Sequence, residues 1–326
     1  SQRKRQYPNV GVVSIKKILK TSTPLIFGAV LVWYSLSKIS INVLIGYFKE
    51  ANYEWIFLGL FFGILSHLSR AYRWKFMLDP LGFKPRFTNS VLAVLVGYLV
   101  NLAIPRAGEV SRAFVLTNYE QIPFEKGFGT IVAERIADLV MMLCIIIITL
   151  FVQFDFIYDL LTKNFDASKI SIGLIILTII CYVLYFFVKK ATSGILLKIK
   201  TFVIGLVEGV TSIFRMKNKV AFIFHTIFIW VMYVAMFWAT IPAISGLEVP
   251  FGGVLIGFIA GGFSIAATNG GIGLYPIAVA GALALFDIPS DPATAFGWIM
   301  WTAQTAMIII FGGLAFLFLP IYNKHK

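Results

Sequence analysis

The stretch NLAIPRAGEVSR, residues 101–112, follows an apolar run at 88–104 and decides how this chain folds. Pro105 lacks a backbone N–H donor and ends the helical pattern, and Gly108 permits a close backbone approach. The charged arm after Pro105 is too short to cross a bilayer, which takes about 20 apolar residues. The stretch therefore predicts a helix that enters the membrane, breaks and returns.

The composition of the chain is that of a membrane protein. Of its 326 residues, 59% are hydrophobic and only 13% are charged, whereas soluble domains carry about 25% charged residues. The apolar runs are long and do not alternate with polar residues, which favours helices over the strands of a transmembrane barrel. We predict an all-α polytopic membrane protein that forms a single transmembrane domain over residues 1–326.

Six apolar runs are predicted to span the membrane once flanking residues are included. They are 24–37, 54–69, 127–152, 170–188, 220–243 and 293–319. The first run lacks a convincing small-residue cleavage site, so we interpret it as a retained helix and not as a signal peptide. A further helix at 195–215 combines an apolar stripe with a polar stripe, and it is predicted to lie at the cytoplasmic interface.

The net charge of +13 comes from basic residues in short loops, which indicates membrane topology and not nucleic-acid binding. Lys and Arg number six in 1–20, five in 70–86 and seven in 189–219, against two in 38–53 and none in 244–250 and 287–292. The positive-inside rule places the first group and both termini in the cytoplasm, with the chain in the cytoplasmic (inner) membrane.

Counting the crossings predicts two re-entrant hairpins. Residue 86 is cytoplasmic and 127–152 must run outward, so 88–126 has to enter and leave on the cytoplasmic side. The same count makes 251–286 enter and leave from the outside. The halves 20–152 and 170–320 then match as an inverted repeat, a transporter architecture whose site lies where the helix breaks meet.

The first hairpin carries three charged side chains, which are costly at membrane depth and indicate function. Arg106 and Arg112 present planar guanidinium groups that suit a phosphate bidentately. Glu109 is placed to hold these arginines or to meet a cationic headgroup. We predict that this group contacts a ligand, and the alternative is an internal Arg–Glu pair that only pins the hairpin.

Glu134, Arg135 and Asp138 form a second charged group within 127–152. Glu134 and Asp138 share one helix face, and Arg135 and Asp138 are spaced to pair. Such a group must face protein or water and not lipid. It either binds the ligand or forms an interhelical salt bridge to the first hairpin, and the sequence favours neither.

Arg70 and Arg73 follow His67 at the cytoplasmic end of 54–69. We expect both arginines to snorkel toward lipid headgroups, where they are also candidate ligand contacts. We expect His67 and His225 to be hydrogen-bonded structural residues.

The second hairpin offers backbone groups and little charge in the stretch NGGIG, residues 269–273. Asn269 and Gly273 are candidate contacts there, and Asn101 holds the corresponding place ahead of Gly108 in the first hairpin. No spacing of ligand residues supports a metal site, and the glycines follow no strand, so a nucleotide loop is not credible. We predict neither a cofactor nor an enzymatic activity.

These motifs resemble those of a known family. The run 101–113, the run AERIADL at 133–139 and the glycine-rich run 269–273 are similar, in that order, to motifs of the lysylphosphatidylglycerol synthase transmembrane (flippase) family. The resemblance implies a lipid-handling membrane domain. Asn269 and Pro276 stand where that family often has Pro and Glu. The family's soluble aminoacyl transferase domain is absent, so the resemblance implies a stand-alone member that makes no lysyl lipid by itself.

The predicted function is transport of a lipid headgroup across the membrane, with a phospholipid, an aminoacyl-lipid or a glycolipid as cargo. The expected partners are membrane lipids with an anionic or phosphate-bearing headgroup, a second copy of the chain, and a soluble lipid-modifying enzyme. Two alternatives stay open. One is an intramembrane transferase that uses Glu109, Glu134 or Asp138 as base, and the other is a membrane partner that docks a soluble synthase.

Overall fold

The computed structural model describes the backbone of residues 15–324, and the side chains of 26–324 except 205, 206, 208–210 and 212. The described residues form thirteen α-helices and no strand. These are α1 Ile15–Ser37, α2 Ile41–Glu50, α3 Tyr53–Leu78, α4 Phe87–Ala103, α5 Ala107–Glu120, α6 Phe124–Val152, α7 Phe154–Asn164, α8 Ala167–Lys190, α9 Gly194–Arg215, α10 Lys219–Thr240, α11 Phe251–Ala267, α12 Leu274–Ala284 and α13 Ser290–Tyr322.

The all-α polytopic membrane fold is confirmed. Within the described part of the chain, α3, α6, α8, α10 and α13 are long and apolar enough to cross a bilayer, and α1 with α2 forms a sixth candidate bent by 82°. These helices coincide with the six predicted runs and extend beyond most of their ends. Helix α9 coincides with the predicted helix at 195–215, although part of its polar stripe lies outside the described side chains.

The segments 38–53 and 153–169, which lie between the predicted spans, each contain a short helix that none of the predicted runs includes. In α2, apolar residues stand at positions 41, 44, 45 and 48, which is the spacing of one helix face. In α7, Phe154, Tyr158 and Leu161 form a similar face, with Asp155 and Asp159 beside it. Helices of this length are too short to span a bilayer, so a search for long apolar runs overlooks them.

Helices α4 and α5 pack against each other as the arms of the first hairpin. Gly97 and Gly108 bring the arms together, because a Cβ on either residue would collide with the opposite arm. The break at Ile104–Arg106 leaves the first turn of α5 without intrahelical partners. Asn101 compensates by accepting a hydrogen bond from the Gly108 N–H at 2.7 Å.

Helices α11 and α12 form the second hairpin, which breaks at residues 268–273. Gly270, Gly271 and Gly273 all have positive φ, a conformation that glycine adopts without steric cost. The Trp301 indole on α13 donates to the Gly270 carbonyl at 2.9 Å and fixes the break. Leu102 of the first hairpin fills the space beside Gly270. The breaks of the two hairpins therefore touch.

Two apolar clusters flank the centre of the molecule. One contains the first turns of α13 and much of α12, and the other contains the end of α3 together with α4 and α5. Between them, α3, α10 and α13 carry polar side chains at their middle turns. The packing thus leaves polar side chains between the two apolar clusters. The insertion of both hairpins into the bilayer and the inverted relation of the two halves stay predictions.

Gly108→Ala is expected to lower the thermal unfolding temperature in detergent. A Cβ at this position would collide with the Gly97 carbonyl oxygen and with the Asn101 side chain, and overpacking of this kind costs about 1–3 kcal/mol. Gly281→Ala is the matched control, because a Cβ there meets no described atom within 4 Å. Equal unfolding temperatures for the two variants would contradict the close packing of the arms.

Candidate functional site

A group of ionised side chains lies between α3, α5 and α6, and we call it the arginine–carboxylate cluster. Its members are Arg70 and Arg73 on α3, Glu109 and Arg112 on α5, and Glu134, Arg135 and Asp138 on α6. They are buried except Arg135 and Glu109, whose side chains are 41% and 22% exposed. Asp138 stands at the midpoint of α6, and Glu134 is one turn away. The structure thus brings most of the charged residues singled out in the sequence into one site beside the middle of α6.

Glu134 is the centre of the cluster and is fully buried. Its carboxylate accepts hydrogen bonds from Arg70 at 2.5 Å and from both terminal nitrogens of Arg112 at 2.9 and 3.2 Å. Arg135 donates to the same carboxylate at 3.2 Å, and Arg73 lies 3.7 Å away. One carboxylate therefore holds together guanidinium groups from three helices.

Asp138 carries the second buried carboxylate. It accepts a hydrogen bond from Arg70 at 2.7 Å and a longer one from Arg73 at 3.4 Å. The Trp230 indole on α10 also donates to it at 3.4 Å, and Arg135 forms an ion pair with it at 3.6 Å. The predicted pairing of Arg135 with Asp138 is confirmed.

The expectation that Arg70 and Arg73 snorkel to headgroups was wrong. They are 2% and 0% exposed, and they point into the cluster. The physical reason is that α6 supplies two carboxylates within reach of both side chains. An ion pair inside the protein satisfies a guanidinium better than extension of the side chain toward the lipid headgroups. Spacing along the chain could not reveal this pairing, since the partners stand more than sixty positions away.

Helix α10 lines the cluster with neutral polar groups. Thr226 accepts a hydrogen bond from Arg73 at 2.8 Å, and Tyr233 accepts one from Arg70 at 3.2 Å. The Tyr233 hydroxyl is also 3.1 Å from the hydroxyl of Tyr98 on α4. Sequence reasoning missed these residues. The signal that could have found them is the spacing of Thr226, Trp230 and Tyr233 on one helix face.

Arg112 is held inside the protein and is not at the surface of the hairpin. Its guanidinium lies 4.4 Å above the Trp74 ring and bonds Glu134 bidentately. Trp74 in turn donates to Thr130 on α6 at 2.8 Å. The interhelical salt bridge that the sequence left open for Glu134 is therefore present, and it joins α6 to the first hairpin.

Arg106 lies apart from the cluster, at the exposed tip of the first hairpin. Its φ of 62° is left-handed, a conformation that costs a non-glycine residue about 1–2 kcal/mol. Glu109 does not pair with Arg106 among the described contacts. It lies 3.7 Å from Arg135 and 3.5 Å from the Asn101 amide, so it links the tip to the cluster.

The residues of the second hairpin do not join the cluster. Gly273 packs against the backbone of α1 at Leu31 and Val32. The Tyr275 hydroxyl accepts a hydrogen bond from Gln304 on α13 at 3.3 Å. Asn269 is half-buried at the break that contacts the first hairpin. Of the two breaks, only the first carries ionised groups.

The histidines have different surroundings. His225 shares a hydrogen bond of 2.7 Å with Ser69, as expected for a structural histidine. His67 Nδ1 is buried and has no hydrogen-bond partner in the described part of the chain, which departs from the expectation. Its ring packs on Tyr98 with the centroids 4.4 Å apart.

The charges of the cluster do not cancel. Four guanidinium groups face three carboxylates, so the cluster carries a formal excess of one positive charge. The Nε atoms of Arg70, Arg73, Arg112 and Arg135 are also buried without a hydrogen-bond partner among the described residues. Buried guanidinium groups with spare donors favour an anion with several oxygens, such as a phosphate. No group of metal-ligating side chains occurs in residues that the structure describes.

Comparison with known proteins places this site in a family. A family model described as the lysylphosphatidylglycerol synthase TM region matches residues 22–312. The chain belongs to this family. The match includes all seven residues of the arginine–carboxylate cluster and both hairpins, so the site is built from the lysylphosphatidylglycerol synthase TM region itself and not from an appended segment.

Two curated relatives are similar to parts of this lysylphosphatidylglycerol synthase TM region. The UPF0104 membrane protein MJ1595 of Methanocaldococcus jannaschii is 32% identical over 125 residues, which are 37% of each chain. The glycosyltransferase AglD of Haloferax volcanii is 31% identical over 77 residues, which are 23% of this chain and 12% of that protein. The matched stretches thus span well under two thirds of either relative. No solved structure matches the chain significantly.

Proposed function

We propose that this protein moves a lipid with a phosphate-bearing or otherwise anionic headgroup between the leaflets of the membrane. The observation that carries the proposal is the excess positive charge of the arginine–carboxylate cluster, which lies beside the break of the first hairpin. An ionised group is costly inside a bilayer and is kept where it serves a function.

Electrostatics supports an anionic cargo. A lone excess guanidinium with low solvent access is expensive, and an anion that enters the cluster offsets that cost. The Nε donors of the cluster arginines lack a partner among the described residues, and a phosphate oxygen that reached them would satisfy them. A headgroup with a positive charge alone would meet repulsion from the four arginines. The cluster therefore favours lipids whose headgroup is negative at the phosphate.

Arg106 is placed to make the first contact with the headgroup. It is exposed at the hairpin tip and stands at the start of α5, where the helix N-terminus adds positive potential. Glu109, three residues on, reaches Arg135 of the cluster. We infer that the headgroup passes from Arg106 toward the cluster while the lipid tails stay in the bilayer.

The family description and one relative support a lipid substrate. The family is named for the membrane region of a synthase of lysylphosphatidylglycerol, which is a lipid. The relative AglD is named a glycosyltransferase, which keeps a transferase that acts on a lipid-linked substrate as the second candidate. Against it, Glu134 and Asp138 are both bound by arginines, and a carboxylate so engaged is a weak general base.

Purified protein in liposomes tests the proposal. Phosphatidylglycerol and phosphatidylcholine each carry a fluorophore on a short acyl chain, which leaves the headgroup unchanged, and the fluorophore is bleached from outside with a membrane-impermeant reductant. We expect the protein to make the inner pool of the anionic lipid accessible at least about tenfold faster than in protein-free liposomes, with a smaller effect on the zwitterionic lipid. Equal rates with and without protein, for both probes, would contradict lipid transport.

Mass spectrometry of the same liposomes separates the alternatives. Transport leaves every lipid chemically unchanged. A transferase supplied with a lipid-linked donor yields a new lipid mass, and a docking partner yields neither movement nor product. Detection of a new product without accelerated movement would replace our proposal with the transferase.

A further inference from the structure

A groove lies beside the arginine–carboxylate cluster, between α3, α4 and α13. It has a volume of about 240 Å³, and its walls include Ile64, His67, Val91, Leu95, Tyr98 and Met307. Ile64 and Met307 stand at the middle turns of α3 and α13. Arg70 of the cluster follows Ile64 by six residues on α3, and the walls of the groove are apolar apart from His67 and Tyr98.

One wall of the groove carries an unsatisfied polar group. His67 is 8% exposed, and its Nδ1 has no hydrogen-bond partner in the described residues. An imidazole nitrogen without a partner is costly in an apolar setting. Its presence in the wall indicates an occupant that is apolar over most of its length and has a hydrogen-bonding oxygen at the end nearest His67, such as the oxygen that joins a chain to a phosphate.

The groove connects directly to the cluster. His67 and Arg70 lie three residues apart on α3, so one helix face presents the first to the groove and the second to the cluster. The Tyr98 hydroxyl is 3.1 Å from that of Tyr233, which accepts a hydrogen bond from Arg70 at 3.2 Å. Tyr98 in the wall of the groove is therefore linked to Arg70 of the cluster by two successive hydrogen bonds.

We propose that this groove binds the first segment of one alkyl or isoprenoid chain of a lipid whose phosphate occupies the cluster. This proposal rests on the proposed function, and it adds a binding place for one hydrocarbon chain of the transported lipid. Membrane lipids give an apolar chain no hydrophobic gain inside the bilayer. A chain is retained in the groove by close packing and by its covalent link to the phosphate.

The size of the groove fits one chain, and its apolar walls disfavour a headgroup. An apolar cavity of about 150 Å³ takes up a benzene molecule, so about 240 Å³ accommodates a short run of a single chain. A sugar or phosphate headgroup would leave its polar groups against Leu95, Val91 and Met307. The second chain of a two-chain lipid remains in the surrounding bilayer.

Photocrosslinking tests the inference with two matched probes. One is a hexadecyl phosphate with a diazirine near the phosphate end of its chain, and the other is the corresponding hexadecanol without the phosphate. After irradiation of the protein in liposomes, mass spectrometry locates the label. We expect the phosphate probe to label the α3, α4 and α13 residues of the groove at least about fivefold more than the alcohol probe does.

Val91→Trp fills the groove and should reduce this labelling at least about fivefold. Val91→Phe is a smaller increase in volume that serves if the Trp variant unfolds. Ile310→Trp on α13 is the matched control, because Ile310 is 57% exposed and does not line the groove. Groove labelling that is equal for both probes, or unchanged in the correctly folded Val91 variants, would overturn the inference.

The outcome is separable from that of the proposed function. If headgroup movement persists but the phosphate probe does not label the groove, the chain site is wrong and transport stands. If the probe labels the groove in a phosphate-dependent way but no lipid movement occurs, the groove is a binding site and the transport proposal fails.

Discussion

Glu134→Gln should destabilise the folded protein by about 3–5 kcal/mol, the range for removing one partner of a buried ion pair. Glu134 is fully buried and lies within 4 Å of all four arginines of the cluster. With a neutral amide at position 134, the four guanidinium groups have only the carboxylates of Asp138 and Glu109 as counter-charges in the cluster. The amide also presents two N–H donors to groups that are themselves only donors.

The measurement is the free energy of unfolding in mixed detergent micelles, with SDS as the denaturant. Glu125→Gln on the same helix is the control, because Glu125 is exposed and should tolerate the change. Adding Arg112→Gln to Glu134→Gln should recover part of the loss, since it removes one unpaired guanidinium. A Glu134→Gln variant as stable as the Glu125→Gln control would show that the arginines do not depend on this carboxylate.

Arg106→Gly should slow transport of the anionic lipid about 10- to 100-fold and leave stability nearly unchanged. A hydrogen bond to a charged group is worth about 1.5–3 kcal/mol, and each 1.36 kcal/mol of barrier is about tenfold in rate. We expect little change in stability, because the left-handed backbone at position 106 costs arginine about 1–2 kcal/mol and glycine removes that cost. The added freedom of glycine in the unfolded chain, about 0.5–1 kcal/mol, offsets about half of that gain.

The liposome assay with fluorescent phosphatidylglycerol measures the rate, and thermal unfolding measures the stability. Arg106→Lys is the second variant, because it keeps the charge but loses the bidentate geometry, and we expect an intermediate rate. If Arg106→Gly transported at the wild-type rate with an unchanged fold, the hairpin tip would have no part in headgroup recognition.

Much of the fold follows from particular residues in the sequence. The apolar runs fixed the number and order of the long helices, because a spanning helix must satisfy its own backbone hydrogen bonds with about 20 apolar residues. Pro105 and the glycines at 270, 271 and 273 mark the positions of both helix breaks in the sequence. They can be recognised there because each residue affects only the backbone next to it. Helices α2 and α7 escaped notice because short amphipathic helices resemble loops in composition.

The sequence by itself determined that this is a membrane protein with two broken hairpins and costly charges near them. Only the tertiary structure decided which charges meet. From the sequence alone, Arg70 and Arg73 are interpreted as surface residues. The structure places α6 beside α3 and pairs both arginines with its carboxylates. The energy of such an ion pair depends on the distance between its atoms and on their burial. Neither the distance nor the burial can be obtained from the sequence. The hydrophobicity of a segment and the backbone freedom of a residue can, because both depend on residue type.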